Sequence, residues 1–339
     1  RGFNTSHQEI SRRVLVKPEY FNDSPDLNVE SDTDKPNHAH NMLMTGFAER
    51  DNFVDTVGVA PNATVIPYYV KSDIAVASNM AVAIEKAREA AKADVIGTAL
   101  GINVPQWLQP IVITFNIAGA NTLTKQIHRT ILEDIPFVCS SGNGEKKTDF
   151  EIDNKGISAL DHMPYHPFAI TVGSVRTRIM APGVTRPVRN LDSNGFPLPG
   201  GEALEILDSS NFANGIIWAP GEALSVSSKL TPNQNEQITG TSPAAAFVAG
   251  VIALIKSRKP IRGPALNGLT VPQIKEILQN TSNRLPIDPP ANNSNYNLTT
   301  QNYLLDALNA VKAVTTQEPF FQVGIIDEII LGDNTRQKV

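Results

Sequence analysis

The chain carries one cysteine, Cys139, among 339 residues. That excludes a disulfide framework and any zinc site built from several thiolates. Charge is sparse as well: 29 Lys+Arg stand against 34 Asp+Glu, for a net charge of −5. Without basic runs, such a chain is unsuited to following nucleic-acid phosphates. Long apolar runs are missing. The longest, Ala244–Ile255, has 12 residues, where about 20 are needed to cross a bilayer, and it predicts a buried helix instead. No charged-then-apolar run ending in small residues marks a signal peptide near the start. The sequence opens at Arg1 rather than Met, which reads as processing or as a piece of a longer chain.

What is present is a hydrophobic fraction of 41%, enough to bury a large core. The length fits two domains or one large α/β domain. Thr64–Val70, Asp94–Leu100, Ile135–Cys139 and Ala169–Val175 read as strands from their β-branched and apolar content. Ala77–Lys92 and Leu123–Glu133 carry apolar residues at helical spacing. The alternation predicts a parallel sheet with helices on both faces, where functional groups gather at the carboxyl ends of strands. Gly183–Asp208 and Pro286–Asn302 read as loops. Thr270 and Gln273, with Pro272 between, predict a capping box opening a helix through Leu278. Tyr303–Val314 reads as a last amphipathic helix with Leu304, Leu308 and Val311 on one face, and Phe320–Leu331 as strand-like.

Three segments carry groups suited to chemistry. In Ile238–Gly250 (ITGTSPAAAFVAG), Ser242 is expected at a helix N-cap with Pro243 as the first helical residue. The apolar run behind it would hold that N-terminus deep in the domain, where a hydroxyl can attack a carbonyl while backbone N–H groups hold the oxyanion. An ordinary Ser cap is the plainer alternative. In Phe137–Glu145 (FVCSSGNGE), Asn143 follows a buried strand between two glycines, and its amide can donate to an oxyanion; a plain Asn-Gly turn is the alternative. Cys139 reads as buried apolar filler. In Pro36–Phe47 (PNHAHNMLMTGF), His40 opens a buried helix as a general base or as a structural histidine, and the two histidines lack a third metal ligand nearby.

Together these segments resemble the subtilisin-like serine proteases, the subtilase family. Gly240–Gly250 (GTSPAAAFVAG) is similar to that family's G-T-S-M-A-A-P-H-V-A-G, and SSGN ending at Asn143 to its A-A-G-N. Ser210–Ser225 (SNFANGIIWAPGEALS) is similar to S-N-F/Y-G…A-P-G…I-x-S, and Gly58–Pro61 reads GVAP. His40 lies six residues before Gly46, as the family's His lies before its Gly. HNMLMTG departs from H-G-T-H-V-A-G, which makes His38 a rival. The resemblance implies a three-layer, doubly wound α/β fold with a peptidase domain over residues 1–314 and a tail over 315–339. It implies His40 and Ser242 as catalytic residues with Asn143 in the oxyanion hole, and Leu100 and Gly101 in a strand that pairs with substrate. It further implies a polypeptide substrate, a pro-segment or inhibitor as partner, and secretion. No cofactor is required, and structural calcium is expected, if at all, in Glu49–Asp55. Residues 1–10 (RGFNTSHQEI) match the pattern that follows the family's catalytic Asp, which places that Asp immediately before Arg1. Asp23, Asp26, Asp32 and Asp34 lie in a polar stretch that reads as a solvated loop. The expected function is serine endopeptidase. The alternative is an impaired subtilase-like domain that binds or scaffolds, and an α/β-hydrolase esterase is disfavoured because G-x-S-x-G is absent.

Overall fold

The computed structural model describes residues 7–15, 37–51, 56–68, 70, 76–99, 120–146, 152–153, 166–177, 204–212, 215–229, 234–258, 269–283, 287–288, 303–314, 329–330 and 336–337. Its helices are α1 (His38–Phe47), α2 (Val76–Glu89), α3 (Ala120–Leu132), α4 (Thr241–Ser257), α5 (Val271–Asn280) and α6 (Ala307–Ala313). Its strands are β1 (Ile96–Thr98), β2 (Phe137–Ser140), β3 (Glu145–Lys146), β4 (Ile152–Asp153), β5 (Ile170–Thr177), β6 (Leu204–Ile206), β7 (Ile217–Pro220), β8 (Leu224–Ser227), β9 (Asn235–Ile238), β10 (Ile287–Asp288), β11 (Tyr303–Leu304), β12 (Ile329–Ile330) and β13 (Arg336–Gln337).

The main sheet runs parallel through β1, β2, β5, β7 and β11, with Ile96 opposite Phe137, Val138 opposite Ile170, Val172 opposite Ile217, and Ile217 opposite Tyr303. β6 joins antiparallel to the end of β5, and β10 lies parallel to β6. The strands are apolar on both faces because both faces are covered. In β2 the alternation is direct: Phe137 and Cys139 pack with Ala81 and Ile84 of α2 and Leu123 and Ile127 of α3. Val138, between them, packs in the other layer with Val248 and Ile252 of α4, Ile277 of α5 and Ala310 of α6. Helices therefore cover both sides, as the strand–helix alternation predicts.

The capping box is present: Thr270 Oγ1 accepts from the Gln273 N–H at 3.4 Å, and Gln273 Oε1 accepts from the Thr270 N–H at 2.9 Å. Four expectations change. Among the described residues of Thr64–Val70, Val65 is the one that pairs, in an isolated parallel bridge to Val14, and residues 8–13 before that partner are turns. Leu204–Ile206, read as loop, is strand β6, and Ile287–Asp288 pairs with it. Tyr303–Val314 is not one helix. Leu304 joins the sheet beside Trp218, Asp306 caps α6 by accepting from the Asn309 N–H at 2.9 Å, and Leu308 is 63% exposed. The helix buries the small Ala310 and Ala313 instead. Within Phe320–Leu331, Ile329–Ile330 pairs with Arg336–Gln337.

Candidate active site

The site grows from three sheet-end turns and one helix start. β2 ends at Ser140, and the chain turns through Gly142, with φ +94, and Gly144, with φ +73, so that Asn143 stands at the carboxyl end of the sheet. These positive φ values favour glycine. Asn211 braces the turn from the segment after β6: its Nδ2 donates to the Ser141 carbonyl at 3.0 Å, and its N–H to the Gly142 carbonyl at 3.0 Å. Ser210 adds a link to β5, its Oγ accepting from the Ser174 N–H at 3.0 Å.

The helix that carries Ser242 begins two residues earlier than the cap pattern predicts. Gly240, with φ +141, is the N-cap, and Ser242 is the second residue of α4. The physical reason is a cap supplied from elsewhere in the chain. Asn143 Oδ1 accepts from the Thr241 N–H at 2.9 Å and from the Thr241 hydroxyl at 3.0 Å. One orphan N–H of the helix is satisfied without Ser242, which leaves the Ser242 hydroxyl for other work. That hydroxyl, in a residue only 6% exposed, donates to the Ala99 carbonyl just beyond β1 at 3.3 Å. Because the Asn143 oxygen is tied to Thr241, its Nδ2 donors form the end left for a ligand.

A cleft of about 1670 Å³ is lined by Ser242, Asn143, Thr98, Ala99 and His38. Asn143 and Ser242 are therefore brought together on one wall. Leu100 and Gly101 lie outside the described residues. His40 is placed differently. Its helix α1 packs on α4 so closely that a Cβ on Gly46 would stand 3.0 Å from the Ala246 carbonyl oxygen. The His40 ring is fully buried, and neither ring nitrogen has a hydrogen-bond partner among the described residues. It meets the His7 ring edge-on, with centroids 4.8 Å apart and planes at 65°. Burial, then the neighbouring His7 and Lys229, press its pKa down to about 3; the Ser227 carbonyl beside the ring, without a well-formed hydrogen bond, acts the other way. No hydrogen bond joins Ser242 to His40. His38, the rival, lines the cleft.

Cys139 is buried, and burial pushes its thiol up to about 12, so it is chemically quiet. Among the described residues, no group of three or more His, Cys, Asp or Glu could hold a metal. Of the segment expected to take calcium, Glu49 faces Arg12 at 3.6 Å and Asp51 faces Arg50 at 3.1 Å, and residues 52–55 lie outside the description.

Sequence reasoning missed the roles of Thr241, Asn211 and Lys229. The first two sat inside recognised motifs whose backbone contacts no pattern displays, and Lys229 carried no signal.

Comparison with known proteins bears on this arrangement. The family model described as the subtilase family, peptidase S8, matches residues 1–306. No curated protein sequence matches the chain. Among solved structures, a cold adapted subtilisin-like serine proteinase has a TM-score of 0.57 at 18% identity, covering 90% of this chain and 85% of its own. The patellamide maturation protease PatA gives 0.55 at 17% identity, covering 93% and 94%. Fervidolysin from Fervidobacterium pennivorans, a keratinolytic enzyme related to subtilisin, gives 0.60 at 18% identity over 96% of this chain but 43% of its own. At such identities these likenesses speak for the fold.

Proposed function

We propose a mechanism for this chain, which belongs to the subtilase family of proteases: Ser242 Oγ attacks a peptide carbonyl, and His40 takes its proton and returns it to the leaving amine. Asn143 Nδ2 and backbone N–H at the start of α4 hold the oxyanion. The observation that carries this reading is the bond pair between Asn143 Oδ1 and Thr241, which sets a side-chain amide beside the nucleophile's own backbone. Preorganised donors of this kind act on charge that develops only in the transition state.

His40 is favoured as base by its spacing to Gly46, by the packing of α1 on α4, and by two buried nitrogens without partners among the described residues. The carboxylate that orients it is proposed at the position immediately before Arg1. Leu100 and Gly101 are proposed to pair with the substrate backbone beyond the Ala99 carbonyl. The substrate is a polypeptide, with a pro-segment or inhibitor as a further partner. Secretion belongs to the same proposal; no described helix is long and apolar enough to cross a membrane.

One observation favours the second reading, a binding or scaffold domain: Ser242 donates to Ala99 rather than to His40. Peptide hydrolysis by the chain prepared with Asp directly before Arg1 separates the two. The proposal expects hydrolysis that Ser242→Ala and His40→Ala abolish and that His38→Ala leaves in place. Absence of hydrolysis, or hydrolysis indifferent to Ser242→Ala, would overturn it.

A further inference from the structure

His7 belongs to no step of that mechanism, yet it is more firmly fixed than His40. Its Nδ1 accepts from the Glu9 N–H at 3.2 Å, and its Nε2 lies 3.1 Å from the Ser228 carbonyl. A nitrogen that accepts from an amide carries a lone pair, and a nitrogen facing a carbonyl carries the hydrogen. His7 is thereby a neutral ring with its proton on Nε2, and burial, the largest influence on it, lowers its pKa. Protonating Nδ1 would break the bond from Glu9.

His40, by contrast, has no hydrogen-bond partner for either ring nitrogen among the described residues. What touches that ring edge-on is His7. The end of β8 and the strap after it close the arrangement: the Ser227 carbonyl lies beside His40, the Ser228 carbonyl accepts from His7, and Lys229, itself buried, raises the cost of a positive charge on His40.

We propose that His7 is a second positioning residue for His40, beside the carboxylate proposed before Arg1: a tethered neutral imidazole whose edge-on contact limits the tilt of the base's ring. This rests on the reading that His40 is the base. A general base must meet its proton along a hydrogen-bond direction, so a ring free to tilt loses rate in the chemical step rather than in substrate binding.

Two substitutions divide the roles of His7. His7→Asn keeps the local turn, because an Asn oxygen can accept from the N–H two residues on, but removes the ring. His7→Phe keeps a ring and loses both tethers. The experiment is steady-state hydrolysis of a peptide substrate by the chain carrying Asp before Arg1, with thermal unfolding measured on the same samples. The expected result is a kcat for His7→Asn lower by about 10- to 100-fold, at unchanged KM and with the folded transition kept. His7→Phe should fall between His7→Asn and the parent. A parental kcat in His7→Asn, while His40→Ala is inactive, overturns the positioning role alone. Full activity in His40→Ala overturns the base assignment and the positioning role with it. A loss in His7→Asn that appears in KM, or that tracks unfolding, also counts against the proposal.

Discussion

The carboxamide oxygen of Asn143 accepts both the N–H and the hydroxyl of Thr241, at 2.9 and 3.0 Å, so the turn after β2 and the start of α4 are locked to one another 98 residues apart. The lock fixes an amide and a hydroxyl, on Asn143 and Ser242, without a bond between those two side chains.

This lock separates a structural from a chemical role for Asn143. Asn143→Asp keeps an oxygen to accept from Thr241, and a carboxylate is welcome at a helix N-terminus. It loses the donor. The expected outcome is unchanged thermal stability with kcat lower by about 10²–10³-fold, the range for removal of one oxyanion donor. Paired calorimetry and hydrolysis kinetics check both halves.

Gly240 tolerates no side chain. Its φ of +141 is a region that L residues avoid, and a Cβ there would lie 3.2 Å from Asn143 Oδ1. Gly240→Ala should destabilise by about 1–3 kcal/mol, measured by denaturant unfolding. It should also slow Ser242 chemistry beyond that loss, because the displaced carboxamide is the proposed oxyanion donor.

Asn211 stands behind the turn. Removing its amide in Asn211→Ala leaves the buried Ser141 carbonyl without that donor, at a cost of about 1–3 kcal/mol. The check is chemical denaturation at neutral pH. A change within about 0.5 kcal/mol, the usual range for surface substitutions, would show that the brace is unimportant.

Acid should destabilise the fold through His40. Its folded pKa, about 3, lies below the ordinary 6.5. The unfolded chain therefore binds more protons between those values, and unfolding free energy rises with pH across that window. The stabilising contribution is complete above about 6.5 and is lost as pH falls from there toward 3. His40→Gln should flatten the slope of unfolding free energy against pH between 6.5 and 4, measured by urea titrations at several pH values, where the slope reports proton uptake.

Much of this was legible in the chain because the signals were periodic or local. The strand–helix alternation around Phe137–Cys139 gives both covered faces, and Thr270 with Gln273 gives the start of α5, since a capping box involves only neighbours in sequence. Asn143 and Ser242 stood out because glycines flank one turn and an apolar run follows the other. The misread elements turn on distant partners. Ser242 is not the cap of its helix because Asn143 supplies one from another turn. Thr64–Val70 has strand composition, but the described residues before its partner Val14 are turns, which composition at residues 64–70 does not display. Leu304 has helical spacing to Leu308, yet the open place beside Trp218 draws it into the sheet. The burial of His40 against His7 and Lys229 has no sequence signature, because it depends on where residues 7 and 229 return in space.

The most direct test of the central claim is covalent labelling by a fluorophosphonate probe, followed by peptide mapping by mass spectrometry, on the chain carrying Asp before Arg1. The account predicts one adduct on the peptide that contains Ser242, absent after Ser242→Ala and slowed in Asn143→Asp. An unlabelled Ser242, with the chain folded, would contradict it.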